Sequence, residues 1–223
     1  MIFSFAKWLA AAFLVSAMGL ASANAQVLVM NEERILVESA AGLHIATEIA
    51  RMRDEGAATL NAEGERLQAE SEALSAETSA LSEAALQQRP DLRDRFEALT
   101  TGGVELEVER AVLQQELIST QQQAMVPVLE ALQEVLQQIV DERGAGVLLD
   151  RSQVVYVAES SSITDLAIQR MNARLATTPV NRVRLNDEQR GIIRQQIVGQ
   201  IVQQQRMMAQ AAAAQQRAPA QPQ

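Results

Sequence analysis

Leu60, Leu67, Leu74 and Leu81 recur every seven residues, with Glu, Gln, Ser and Ala between them. A heptad of this kind puts one apolar stripe on one helix face, and that stripe has to meet a second helix. With these leucines at the d positions, the a positions are Gly64, Ser71, Thr78 and Ala85. All four are small or polar, so the pattern predicts a thin seam and a mobile coiled coil. A second stripe follows Arg89-Pro90-Asp91: Leu92, Phe96, Leu99, Leu106, Leu113, Leu117, Val128, Leu132, Val135 and Ile139. Proline clashes with the preceding turn and disfavours helix in the residue before it. Pro90 is therefore the predicted tip of a helical hairpin. Gly102-Gly103 is the rival, but a tip there leaves arms that differ by about 27 Å, with Pro127 inside the longer one. A tip at Pro90 gives two similar arms of about 70 Å each. Leu60, Leu67, Leu74, Leu81, Leu99, Leu106 and Leu113 are the expected arm seam.

The flanks of this hairpin read as a small β-rich body. Val27-Leu28-Val29-Met30 is a short apolar run, readable as a buried strand, and Asn31 to Ser39 a connecting turn or helix. Pro127 is expected to kink or interrupt the second helix, and Gly144-Ala145-Gly146 to end it. Val147 to Asp150 and Val154 to Val157 read as two strands joined by Arg151-Ser152-Gln153 in a hairpin. Ser162-Ile163-Thr164-Asp165 fits a capping box opening a helix towards Leu175. The predicted class is α+β, mostly α: a long antiparallel helical hairpin on a small body. Three strands and a short helix bury too little apolar surface to carry such arms alone, so oligomerisation through the sheet is expected. The candidate body residues are Val27, Leu28, Val29, Val147, Leu148, Leu149, Val154, Val155 and Val157.

The first residues place this architecture outside the cytoplasm. Lys7 precedes an apolar run from Trp8 to Leu20, and Ala23-Asn24-Ala25 is an A-x-A cleavage site. That order marks residues 1–25 as a secretory signal peptide. No later segment is apolar enough to span a bilayer, so no stable membrane insertion is expected after cleavage. Cysteine is absent, Lys7 is the single lysine and His44 the single histidine. The mature chain thus lacks a thiolate nucleophile, a P-loop lysine and the histidines of a multi-histidine metal site. No cofactor and no catalytic reaction are expected. His44 reads as a helix-surface residue. Nucleic acid is an unsuitable partner for so acidic a chain, because phosphate neutralisation dominates that affinity.

The stretch Glu142 to Asp150, then Val154 to Val157 and Ser160-Ser161-Ser162-Ile163-Thr164-Asp165, resembles the periplasmic chaperones of the Skp/OmpH family. The opening Val27 to Asn31 is similar to that family's first strand, and the arms match in their coiled-coil character. The resemblance spans residues 26–175, with the body at 26–41 and 128–175 and the arm at 42–127. It implies a homotrimer with three helical arms around a cavity, a periplasmic location and unfolded outer-membrane proteins as partners, held without ATP. The heptads alone fit a structural envelope spacer or adaptor with one fixed partner equally well. Well-known members of the family are basic whereas this chain is acidic in the arms, so no anionic-lipid residues are carried over.

Residues 176–223 extend past that core. A helix is expected over 187–208, with Ile193, Ile197 and Ile201 on one stripe and Asn186 and Gln189 as its cap, then a disordered Gln/Ala/Pro tail. Residues 170–223 carry a formal charge of +6 and residues 48–116 one of −9. Two readings stay open: a solvated tail, or a helix drawn against acidic arms through Arg182, Arg184, Arg190 and Arg194.

Overall fold

The computed structural model describes residues 26–217, so the expected signal peptide at 1–25 lies outside the described residues, as do residues 218–223. Strand β1 (Gln26–Met30) gives way at Asn31 to helix α1 (Glu32–Glu38). The Asn31 side chain accepts from the Arg34 N–H at 2.9 Å, satisfying one of the free donors of the first turn. Ser39 does the same for α2 (Ala40–Ser79), accepting from the Gly42 N–H at 3.2 Å. After the short α3 (Glu83–Gln87), α4 (Pro90–Arg143) runs back to the body. It stops at Gly144, whose φ of 60° is a left-handed conformation that glycine adopts without a Cβ clash.

Strand β2 (Ala145–Asp150) pairs with β1 in parallel, Val27 opposite Val147, Leu28 opposite Leu148 and Val29 opposite Leu149. The whole helical hairpin is therefore the crossover between two neighbouring strands. On the other side of β1, the Ile163 N–H donates to the Val29 carbonyl at 2.9 Å. Helix α5 (Thr164–Arg174) closes the body, and α6 (Asp187–Arg217) packs on α4. The fold is α+β and mostly helical.

One core joins five elements at the base of the arm. Leu28 from β1, Ile35 from α1, Ile45 from α2, Val128, Leu132, Val135 and Ile139 from α4, and Ala167 and Met171 from α5 are all buried together. Polar ties fix the same corner. The Asn31 N–H donates to Thr164 Oγ1 at 3.0 Å and the Ala40 N–H to Asn172 Oδ1 at 2.7 Å.

Several sequence expectations are corrected here. Val154 to Val157 form no strand. Arg151–Gln153 is a single 3-10 turn, capped by Asp150 accepting from the Ser152 N–H at 2.8 Å, and it directs the chain away from β2. Val154 and Val157 are half-buried and Val155 is fully exposed. The first arm helix ends at Ser79, ahead of Pro90, which instead occupies the first turn of α4, where its missing N–H costs nothing. The arms consequently differ, 40 residues against 54, or about 60 Å against about 80 Å. Pro127 lies within an uninterrupted α4, between buried Ala124 and Val128, where packing outweighs the one lost backbone bond. No capping box opens α5: Ile163 precedes it, and Thr164 Oγ1 accepts from Asn31 instead. Finally, α6 runs to Arg217, past the predicted end at 208.

Candidate functional site

The arm is held by one seam. Leu67, Leu74 and Leu106 are buried in it, while Leu60, Leu99 and Leu113 are half-buried; Leu81, also half-buried, lies in the turn after α2. Two glycines set how closely the helices approach. A Cβ on Gly56 would stand 2.6 Å from Leu113 Cδ2, and one on Gly102 would stand 2.8 Å from Leu67 Cδ2. The leucine of one helix thus seats over a glycine of the other, which explains how a seam of small residues stays closed. Gly102, the rival tip, is part of this seat.

Towards the tip, charges replace apolar contact. Arg95 bonds Glu70 at 2.8 Å and Glu77 at 2.7 Å, and Arg89 bonds Glu77 at 2.7 Å and Asp91 at 2.6 Å. Hydrogen bonds from Arg89 and Arg95 hold the Glu77 carboxyl below its ordinary range. These pairs are solvent-exposed and contribute little each.

The body leaves apolar residues uncovered. Val27 and Val147, register partners, are each 43% exposed, and Val155 and Tyr156 stand out from the loop after β2. Leu28 and Val29 are buried, and Leu148 and Leu149 half-buried. Among the described residues β2 has one strand neighbour, β1, and its other edge is unpaired.

The third feature was missed in the sequence. Glu116 is 1% exposed in the middle of α4. Its carboxylate accepts from Arg182 Nη2 at 2.8 Å, Arg182 Nε at 3.0 Å, Arg184 Nη1 at 3.4 Å and the Leu185 N–H at 3.2 Å. One turn on, buried Thr120 Oγ1 accepts from the Val183 N–H at 2.9 Å and donates to the Glu116 carbonyl at 2.6 Å. A buried carboxylate is tolerated because so many donors converge on it. Residues 182–185 therefore form a strap across α4. Beyond the strap, Asn186 and Gln189 cap α6 reciprocally, at 2.8 Å and 3.0 Å. Arg190 then pairs with Glu109, and Arg194 with Glu105 at 2.9 Å. Of the two readings of the tail, the structure has the helix drawn against the acidic arm of its own chain. The readable signal was the i, i+4 series Val108, Val112, Glu116, Thr120, Ala124, Val128, a carboxylate set in an apolar stripe.

Among the described residues, no three His, Asp or Glu side chains are grouped to hold a metal, and no helix is long and apolar enough to cross a membrane.

The sequence profile described as "Outer membrane protein (OmpH-like)" matches residues 26–171. No curated protein matches the chain. Among solved structures, the fold is similar to that of a provisionally assigned outer membrane chaperone (OmpH-like) from Caulobacter crescentus CB15. The TM-score is 0.61 at 24% identity, covering 72% of this chain and 91% of that one.

Proposed function

This chain belongs to the OmpH-like outer membrane protein family, and from that premise we propose that it is a periplasmic holdase chaperone. It keeps unfolded outer-membrane proteins soluble in transit, without ATP. Residues 1–25 direct export, residues 26–175 form the chaperone domain, and residues 176–223 are a C-terminal extension beyond it. The observation that carries this reading is the arm itself: two long helices joined by a single thin seam beyond a well-packed base. A holdase needs many weak, reversible contacts, because a client held in one deep pocket could not be released without an energy source.

The working unit is a homotrimer assembled through the body. The unpaired edge of β2 and the uncovered Val27, Val147, Val155 and Tyr156 support this, since an open edge beside apolar surface invites pairing. Three arms on one body then enclose a cavity. Val155→Glu places a carboxylate in that interface and is expected to release monomers in light scattering; an unchanged trimer counts against assembly through this loop.

The function is tested with the purified mature protein and an unfolded outer-membrane β-barrel diluted from denaturant without nucleotide. Turbidity is expected to stay low at a several-fold excess of the protein. Full aggregation in its presence defeats the proposal. In cross-linking from cells, a spread of unfolded barrels supports a holdase, whereas one folded partner favours the envelope spacer.

A further inference from the structure

We infer that α6 is a built-in, displaceable occupant of a polypeptide-binding face on α4, and that this face takes cationic amphipathic segments of unfolded chains. The inference rests on the holdase reading and names the chemistry of what one arm surface recognises.

The face is defined by what α6 covers. Leu106 and Leu113 point α4 towards α2, where Gly64 and Gly56 lie opposite them. Val108 is turned well away from that seam on the 3.6-residue helix, and Val112 lies at its rim beside Gly56 and Thr59; they are 1% and 2% exposed. Helix α6 packs on α4, and its Arg190 and Arg194 reach Glu109 and Glu105 on this stretch, while the strap, bonded through Leu185 to Glu116, lies one turn beyond Val112. The face beside α6 is thus Val108 and Val112 with Glu105 and Glu109, and the end of the strap meets it at Val112. Its occupant is complementary: Arg190 and Arg194, four apart, alternate with Ile193 and Ile197 on the same side of α6.

The two ends of the extension are held unequally. The strap is anchored by buried Glu116 and Thr120. On α6 the side chains of Arg190 and Arg194 are 37% and 52% exposed, in pairs that water and salt weaken. Ile193, Ile197 and Ile201 are only half-buried, and Val198, Val202, Met207 and Met208 are exposed. A tight tether with a loosely seated helix is the geometry of an intramolecular competitor. The strap keeps the local concentration of α6 high, and a client gains access in proportion to the fraction of time α6 is lifted.

The experiment uses the full mature chain and, as probe, a labelled peptide of residues 187–208 of this protein. Arg190→Glu with Arg194→Glu repels α6 from Glu105 and Glu109 and leaves the face intact. At low salt this variant is expected to bind the peptide about tenfold more tightly than the wild type, as for a face closed nine-tenths of the time. The difference should shrink at high salt. Adding Glu105→Arg and Glu109→Arg re-seats the reversed helix and should abolish peptide binding, which also controls for a general loss of structure. Equal peptide binding by wild type and variant, or none by either, overturns the inference. Aggregation suppression by the wild type is read separately: if it succeeds while the peptide results fail, the holdase stands and the self-occupied face does not.

Discussion

The same two helices, α2 and α4, are packed very differently at their two ends. At the base, Ile45, Val128, Leu132, Val135 and Ile139 share a core with β1, α1 and α5. Further out, Leu67, Leu74 and Leu106 are buried in the seam, Leu67 and Leu106 over glycines of the facing helix, with exposed ion pairs beyond them. Stability need not be uniform along a structure, and segments with few buried apolar contacts open at lower free energy than the core. The contrast teaches that the arm is anchored so that it can yield. Length and reach come from the helices, permanence from the body.

The largest effect that would break this contrast is a cavity at each end. Ile139→Ala should cost about 2–5 kcal/mol of global stability, because its neighbours come from several elements and cannot collapse together. Leu74→Ala removes a side chain of similar size, but urea melts should show a clearly smaller loss, since the distal seam can close by local opening. Equal losses would mean that the arm is as cooperative as the body.

The strap interrupts this gradient halfway along, and Glu116→Ala tests how much. Losing hydrogen bonds to a charged group should reduce the opening free energy of residues 182–206 by about 2 kcal/mol, read as faster amide exchange in α6. Exchange in α5 should be unchanged, because the body core does not depend on the strap. Spread of the effect into α5 would show that extension and body open together.

The smallest effect is at the tip. Glu77 has its carboxyl lowered by Arg89 and Arg95, so its contribution is present above the ordinary carboxylate range and is lost as pH falls through the depressed folded value. Amide protection from Ala80 to Arg89, corrected for the intrinsic pH dependence of exchange, should therefore be flat around neutral pH and fall in acid, with added salt mimicking part of the change. A tip equally ordered in acid would show that the ion pairs do not hold it.

Much of this was legible because it depends on local patterns. Leu60, Leu67 and Leu74 marked α2, the stripe ending at Ile139 marked α4, and Asn186 with Gln189 marked the start of α6 by a cap that two side chains complete alone. The four arginines of the extension were legible as charge complements of the arm. The readings that did not hold depended on distant partners. Val154 to Val157 has the composition of a strand, but a strand needs an edge to pair with, and the Asp150-capped turn carries it away from β2. Thr164 looked like part of a cap until its hydroxyl was claimed by Asn31 across the body. The apolar stripe around Glu116 marks a buried position, but its partner is distant in the chain, and nothing beside it along the sequence shows that Arg182 lies over it.

Hydrogen exchange with and without an unfolded outer-membrane β-barrel tests the central claim, that the yielding part of the arm is where clients are held. On adding client to the mature protein, protection should rise along the distal arm, from Gly56 to Leu113, and fall in α6 as it is displaced. The amides of Val128 to Ile139 should not change. Protection gained only in the body, or none in the arm although the client stays soluble, would contradict the account.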